Sequence, residues 1–190
     1  MNRPDYLKKA RDGDLQAFSQ LVDQNKGWVF SLALQIVKNE EDAEEVSQDA
    51  FMKCYQHLGE FRFESKFSTW LYSIVYHTAI SKTRKKKKNV VPLDSVQDSN
   101  FEPGVIENAL GQIEATDQQR YLRLALEKID DTDSNILTLF YLNDKPIKEI
   151  AEITGFSVGN IKMKLHRGRK ALYQQLEKIL RDEMPSLLEY

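Results

Sequence analysis

A chain of 190 residues, 41% hydrophobic and 29% charged, has the make-up of one globular domain or two small ones. Its longest mostly apolar stretch, Trp28 to Val37, carries Ser31 and Gln35 and is too short to span a bilayer; the N-terminus MNRPDYLKKARDGD lacks the apolar core of a secretion signal. Membrane insertion is therefore not expected, and a single cysteine, Cys54, allows no internal disulfide, which points to the cytoplasm.

The net charge of −2 argues against a nucleic-acid binder until it is counted by segment. Residues 1–60 hold 7 basic and 11 acidic side chains (−4), residues 61–88 hold 8 and 1 (+7), residues 89–117 hold 0 and 6 (−6), and residues 118–190 hold 12 and 11 (+1). Phosphate responds to the local field, so segregation of this kind permits binding that the total conceals.

Helical periodicity dominates, with no Asn-Gly or Asp-Gly hairpin signal. Asp14 is placed to cap a helix through about Asn25, and Trp28, Leu32 and Ile36 mark one face of the next. Asn39 opens a third, with Ala43, Val46, Ala50, Cys54 and Leu58 at spacings of three and four, and Gly59 stands where it should stop. Ser68 is placed to cap a fourth, in which Leu71, Ile74, Val75 and Thr78 form one side. From Asn89 to Asp117 the sequence has two prolines, two glycines, six acids and no base, and reads as a linker with a short helical piece near Val105 to Leu110. Helices resume near Gln118 and run to about Asp182. The expected fold is all-α: two small helical domains, 1–88 and 118–190, joined by an acidic flexible linker, 89–117.

The second domain contains PIKEIAEITGFSVGNIKMKLHRGRKAL, Pro146 to Leu172. Ile147, Ile150, Ala151 and Ile153 give a short helix, Gly155 a turn needing positive φ, and Ser157 an N-cap for a helix with Ile161, Leu165, Gly168 and Leu172 on one side. This is a helix-turn-helix. The remaining sides of its second helix carry Asn160, Lys162, Lys164, His166, Arg167, Arg169 and Lys170, which suits the major groove of duplex DNA.

The first domain ends in FRFESKFSTWLYSIVYHTAISKTRKKKK, Phe61 to Lys88: six aromatics within sixteen positions, then six cations within seven. Aromatic faces stack on unpaired bases and lysines displace counterions from phosphate, so the adjacency suits strands that have separated. A second reading stays open, in which Trp70 and Tyr76 are core and the lysines a solvated helix end.

The stretch EEDAEEVSQDAFMKCYQHLGEFRFESKFSTWLYSIVYHTAISKTRKKKK resembles the second conserved region of bacterial RNA polymerase sigma factors of the extracytoplasmic-function type, and IKEIAEITGFSVGNIKMKLHRGRKAL resembles their fourth. The resemblance implies a transcription initiation factor whose first domain holds core RNA polymerase and opens promoter DNA near −10, and whose second reads the −35 element as duplex. By resemblance, Glu45, Gln48 and Asp49 contact the polymerase, and the loop carrying Arg62, Phe63, Lys66 and Phe67 captures a flipped base. Trp70, Ser73, His77 and Arg84 lie near one helical stripe and match −10 positions, His77 standing where many relatives carry asparagine. By resemblance Lys162, Met163, His166 and Arg167 meet the −35 element, and Asn160 and Lys164 on the same helix are expected to join them; Met163 and His166 depart from the commoner Ser and aromatic, and Gly168 replaces a usual Ala. An anti-sigma partner is also implied.

Twenty-nine linker residues at about 3.3 Å each reach roughly 95 Å, more than the roughly 70 Å of two duplex turns, so one chain can hold both elements. No enzyme is expected and no cofactor or metal. The three histidines, His57, His77 and His166, have no paired ligand spacing, and phosphate-loop, nucleophile-elbow and zinc-protease motifs are lacking. The alternative from another class is a stand-alone helix-turn-helix regulator of duplex operators, which needs neither the aromatic loop nor a polymerase-binding helix.

Overall fold

The computed structural model describes residues 3–86 and 115–183, with side chains over 6–84 and 117–182. Every regular element among them is helical, as expected. The chain separates into two compact units, one built on residues 1–91 and the other on most of residues 92–190. The proposed linker and its helical piece near Val105 lie almost wholly outside the described residues.

The first unit contains α1 (Arg3–Arg11), α2 (Leu15–Val37), α3 (Glu40–His57), a 3-10 turn (Leu58–Glu60) and α4 (Phe67–Lys86). Asp14 accepts from the backbone N–H groups of Gln16 and Ala17, satisfying two donors the helix start leaves open. Asn39 does the same for the N–H of Asp42 at the head of α3. The anticipated break after Asn25 does not occur, and α2 runs unbroken to Val37. Asn25 turns its amide into the helix instead: Nδ2 donates to the Leu21 carbonyl at 2.6 Å and Oδ1 accepts from Trp28 Nε1 at 2.9 Å.

Ala43, Val46, Ala50, Cys54 and Leu58 are all 1% exposed or less, as their spacing requires. They pack with Val29, Leu32 and Ala33 of α2 and with Leu71, Val75 and Ala79 of α4, the alanines letting the three helices approach closely. Gly59 is not a left-handed terminator, because α3 tightens into the 3-10 turn instead. α4 starts at Phe67, with the Lys66 carbonyl accepting from Trp70 N–H, so Ser68 lies inside the first turn rather than capping it. α1 has no counterpart in the sequence reading; Leu7 and Ala10 on it close a second apolar cluster with Ala17, Leu21, Leu58 and Phe61.

The second unit contains α5 (Ala115–Leu126), α6 (Asp131–Leu137), a π turn (Thr138–Leu142), α7 (Ile147–Thr154) and α8 (Val158–Glu183). Asp130 caps α6 through Thr132 and Asp133 N–H. α7 and α8 form the expected helix-turn-helix: Gly155 has φ +75°, and the Ser157 hydroxyl accepts from Asn160 N–H at 3.2 Å. Ile161, Leu165 and Leu172 are buried and pack on the interior faces of α5 and α6. Gly168 joins them for a steric reason: a β-carbon there would stand 2.9 Å from Leu137 Cδ1 and 3.2 Å from Asp133 Cβ, so its lack of a side chain sets the spacing of α6 and α8.

Candidate nucleic-acid interface

In the first unit the aromatic run divides. Phe61, Tyr72 and Tyr76 are buried, and Tyr72 stacks on Trp28 with centroids 4.2 Å apart and planes 10° from parallel. Phe67 and Trp70 are half-buried, and Phe63 is 41% exposed. The core reading of the sequence thus holds for Tyr76, while Trp70 reaches the surface.

Phe63 has φ +59°, a left-handed backbone that a bulky side chain adopts at a cost of about 1–3 kcal/mol. The Arg11 guanidinium lies 5.2 Å from its ring centre and Phe61 packs against it at 4.9 Å. Held this way, Phe63 borders a recess of about 600 Å³ with Trp28, Phe61, Lys66 and Phe67. A recess with aromatic walls and a cation at its mouth can take a flat, uncharged ring attached to phosphate.

Trp70 borders two smaller recesses. One, of about 280 Å³, holds Arg62 and Glu64; the other, of about 290 Å³, holds Ser73 and His77. The predicted −10 residues Arg62, Phe63, Lys66, Phe67, Trp70, Ser73 and His77 therefore form a continuous series of recesses along the loop and the first half of α4. Arg84 is exposed further along α4 and lines none of the three. The sequence reading missed Trp28, which is remote in sequence, and Lys53 and His57 at the end of α3, which share the Ser73–His77 recess. Lys53 bonds Thr78 across 25 positions, and so long a separation leaves no sequence signal for that pairing.

Glu45, Gln48 and Asp49 are all exposed on α3. Glu45 is not a free charge: its carboxylate pairs with Lys82 of α4, which also reaches Asp42 Oδ1 at 3.5 Å. The Glu45 hydrogen bond, aided by both carboxylates' charge, holds the Lys82 amine above its usual pKa. One member of the basic run is thus already neutralised by the unit's own acids.

In the second unit the α8 cations divide in the same manner. Lys162, Met163 and His166 project into solvent, Met163 with 62% of its surface exposed. Lys164 lies over the Phe156 ring at 5.3 Å. Arg167 forms a two-pronged pair with Asp133 of α6, Nε and one terminal nitrogen each 2.7 Å from a carboxylate oxygen. That hydrogen-bonded pair raises the Arg167 pKa further, and two of its five donors are engaged. Arg169 donates to Tyr141 Oη at 3.1 Å and stacks over Phe140. Asn160 is half-buried and its side-chain oxygen has no hydrogen-bond partner. Among the described residues no group of His, Cys, Asp and Glu is arranged to hold a metal ion, and no helix is long and apolar enough to cross a membrane.

Residues 21–89 match the family model for Sigma-70 region 2, and residues 119–172 that for Sigma-70 region 4. The chain is 32% identical over 182 residues to the ECF RNA polymerase sigma factor SigW of Bacillus subtilis, covering 90% of this chain and 94% of that protein. It is 28% identical over 183 residues to the ECF RNA polymerase sigma-E factor of Escherichia coli, covering 92% and 94%. In structure it resembles CnrH, solved in complex with the cytosolic domain of CnrY, with a TM-score of 0.65 at 21% identity, over 91% of this chain and 96% of that one. It also resembles the sigma factor RpoE of Bartonella quintana, solved with the anti-sigma factor NepR, with a TM-score of 0.62 at 18% identity, over 86% and 98%. At those identities the structural likeness is one of fold. The two family regions in order, and a relative matched over nearly its whole length, establish that the chain belongs to the ECF RNA polymerase sigma factors of the sigma-70 family.

Proposed function

We propose that this sigma factor binds core RNA polymerase through the acidic face of α3 and directs it to promoters with two different grips. Trp70, Ser73, His77 and the loop from Arg62 to Phe67 take −10 bases that have left their partners, and Lys162, Met163 and His166 read the −35 duplex. Arg84, Asn160, Lys164 and Arg167 support these grips, Arg167 and Lys164 through their braces on Asp133 and Phe156. Residues 89–117 serve as an acidic tether between domains 1–88 and 118–190. The protein acts in the bacterial cytoplasm and has no catalyst of its own. Its work is differential binding, since open DNA gains stacking that closed DNA cannot offer, which shifts the equilibrium toward the melted state.

The observation that supports this best is the pairing, in one chain, of a helix-turn-helix with aromatic-walled recesses beside cations. A lone operator-binding regulator has use for the first but not the second. Two solved relatives of this fold are held by partner proteins, and an anti-sigma factor covering the same faces is the proposed regulator here.

The test is reconstitution with core polymerase and comparison of fork-junction with fully paired −10 probes at matched salt. The proposal expects co-purification with core and at least ten-fold tighter binding to the fork. A chain that ignores core yet binds duplex operators tightly is the lone regulator instead.

A further inference from the structure

The recess shared by α3 and α4 is richer in donors than a −10 contact made by α4 alone requires. Its α4 wall carries Trp70, Ser73, His77 and Ser81, and its α3 wall carries Lys53 and His57. Lys53 is exposed, but its amine does not wander: Nζ donates to Thr78 Oγ1 at 3.0 Å, and Thr78 is 6% exposed and donates onward to the Ile74 carbonyl at 2.7 Å. That bond spans α3 and α4 and fixes a long, flexible side chain in one place. Thr78 supplies only a neutral oxygen, so the Lys53 charge is not cancelled and two of its three N–H donors remain.

Neighbouring groups in the recess point to the same ligand chemistry. Among the described residues nothing bonds the hydroxyls of Ser73 and Ser81 or the imidazole nitrogens of His77, while His57 has only the exposed Glu60 carboxylate, 3.4 Å away. A recess of about 290 Å³ with one fixed cation, two free hydroxyls and an indole in its wall is built for a phosphate with a base attached. Lys82, nearby in sequence, is by contrast consumed by Glu45 and Asp42. Lys53 thus contributes a positive charge to this wall without an acidic partner.

We propose that the C-terminal end of α3 is a second wall of the −10 site, with Lys53 as a backbone-phosphate contact pre-positioned by Thr78 and His57 as an auxiliary donor. This rests on the reading above that the α4 stripe holds separated −10 DNA. The immobilising entropy of a lysine is normally lost on binding DNA. Here Thr78 has imposed it in advance, which raises the affinity the charge can deliver.

The experiment uses holoenzyme made with the full chain, and a fork duplex whose non-template overhang is randomised, titrated from low to moderate salt. Lys53→Gln should weaken fork binding about ten-fold and reduce the slope of log affinity against log salt by about 0.7, the value for one phosphate contact on a single strand. Lys53→Arg should restore the slope, and binding of fully paired duplex should change much less. His57→Gln, at an exposed position where misfolding is not at issue, should weaken fork binding about two- to three-fold. Unchanged slope and affinity in both the Lys53→Gln and His57→Gln proteins overturn the second wall, provided wild type still prefers the fork. Loss of that preference in wild type overturns the −10 reading itself, and the second wall with it.

Discussion

The two proposed nucleic-acid faces of this protein solve the same problem with opposite materials. On α8 the cations are many and the structure withdraws some of them: Arg167 goes to Asp133, Arg169 to Tyr141 and Phe140, Lys164 to Phe156, leaving Lys162 and His166 in water beside Met163. On α4 and the loop before it the aromatics are many and the structure withdraws some of those: Phe61, Tyr72 and Tyr76 go to the core, leaving Phe63, Phe67 and Trp70 at the rim. In each unit an over-supplied residue type divides between bracing the proposed reading surface and forming it. A duplex presents phosphates and groove edges, so the remainder on α8 is charged and polar. A separated strand presents ring faces, so the remainder on the loop and α4 is flat and apolar.

Breaking the brace on α8 should have the largest effect. Arg167→Ala leaves the buried Asp133 carboxylate without its cation. The second unit should lose about 2–3 kcal/mol, less than the roughly 3–5 kcal/mol of a fully buried pair because half of the Arg167 side chain is in water. Both tryptophans, Trp28 and Trp70, lie in the first unit. The urea midpoint by far-ultraviolet dichroism should therefore fall for the second-unit component while the tryptophan-fluorescence midpoint stays fixed. Equal stability with weakened −35 binding would make Arg167 a DNA contact alone.

Trp70→Ala tests the other face. Base stacking is worth roughly 1–3 kcal/mol, so fork affinity should drop by about ten-fold or more and permanganate reactivity at −10 should fade. Trp70 also packs on Phe61 at 5.2 Å and Phe67 at 5.9 Å, so the Trp28 fluorescence midpoint must be followed beside it. Opening lost with folding intact assigns Trp70 to DNA; joint loss assigns it to the core. Lys162→Ala is gentler. It should reduce the salt slope of −35 duplex binding by about 0.9 and leave both unfolding transitions within about 0.5 kcal/mol of wild type. An unchanged −35 footprint removes Lys162 from the site.

The helical faces and the helix-turn-helix were legible because each rests on a local period or a local cap: Ala43 through Leu58 on α3, Gly155 and Ser157 before α8. What escaped depends on partners far away in the chain or on a residue acting against its usual tendency. The sequence reads as one helix ending at about Asn25 and another from Trp28, yet Asn25 spends its side chain inside α2 on Leu21 and Trp28. The π turn after α6 inserts one residue into a periodic run and leaves no compositional trace. The Arg167–Asp133 pair spans 34 positions and Lys53–Thr78 spans 25, so neither could be found from spacing. Gly168 was visible as an unusual residue, but its reason, the 2.9 Å that a β-carbon would leave to Leu137, exists only once α6 and α8 are packed.

A last expected effect concerns the first unit alone and is read by pH. Burial pushes the Cys54 thiol up to about 12 from 9.0, and it raises the Tyr76 phenol as well, with the Arg84 charge opposing that rise. For an acid whose folded pKa is raised, the unfolded chain ionises first. The stabilising difference is intact below about pH 9 and is lost as pH rises from there toward 12. At pH 10 the Cys54 share of that loss is about 1.4 kcal/mol, one pH unit above the unfolded value. Urea unfolding by tryptophan fluorescence at pH 8 and pH 10 should therefore show a steeper decline for wild type than for Cys54→Ala, by about that amount. The difference cancels the lysines, which titrate in both proteins. Parallel declines would mean that the thiol meets solvent in the folded unit, and that α3 and α4 do not close over it as tightly as a fixed −10 surface requires.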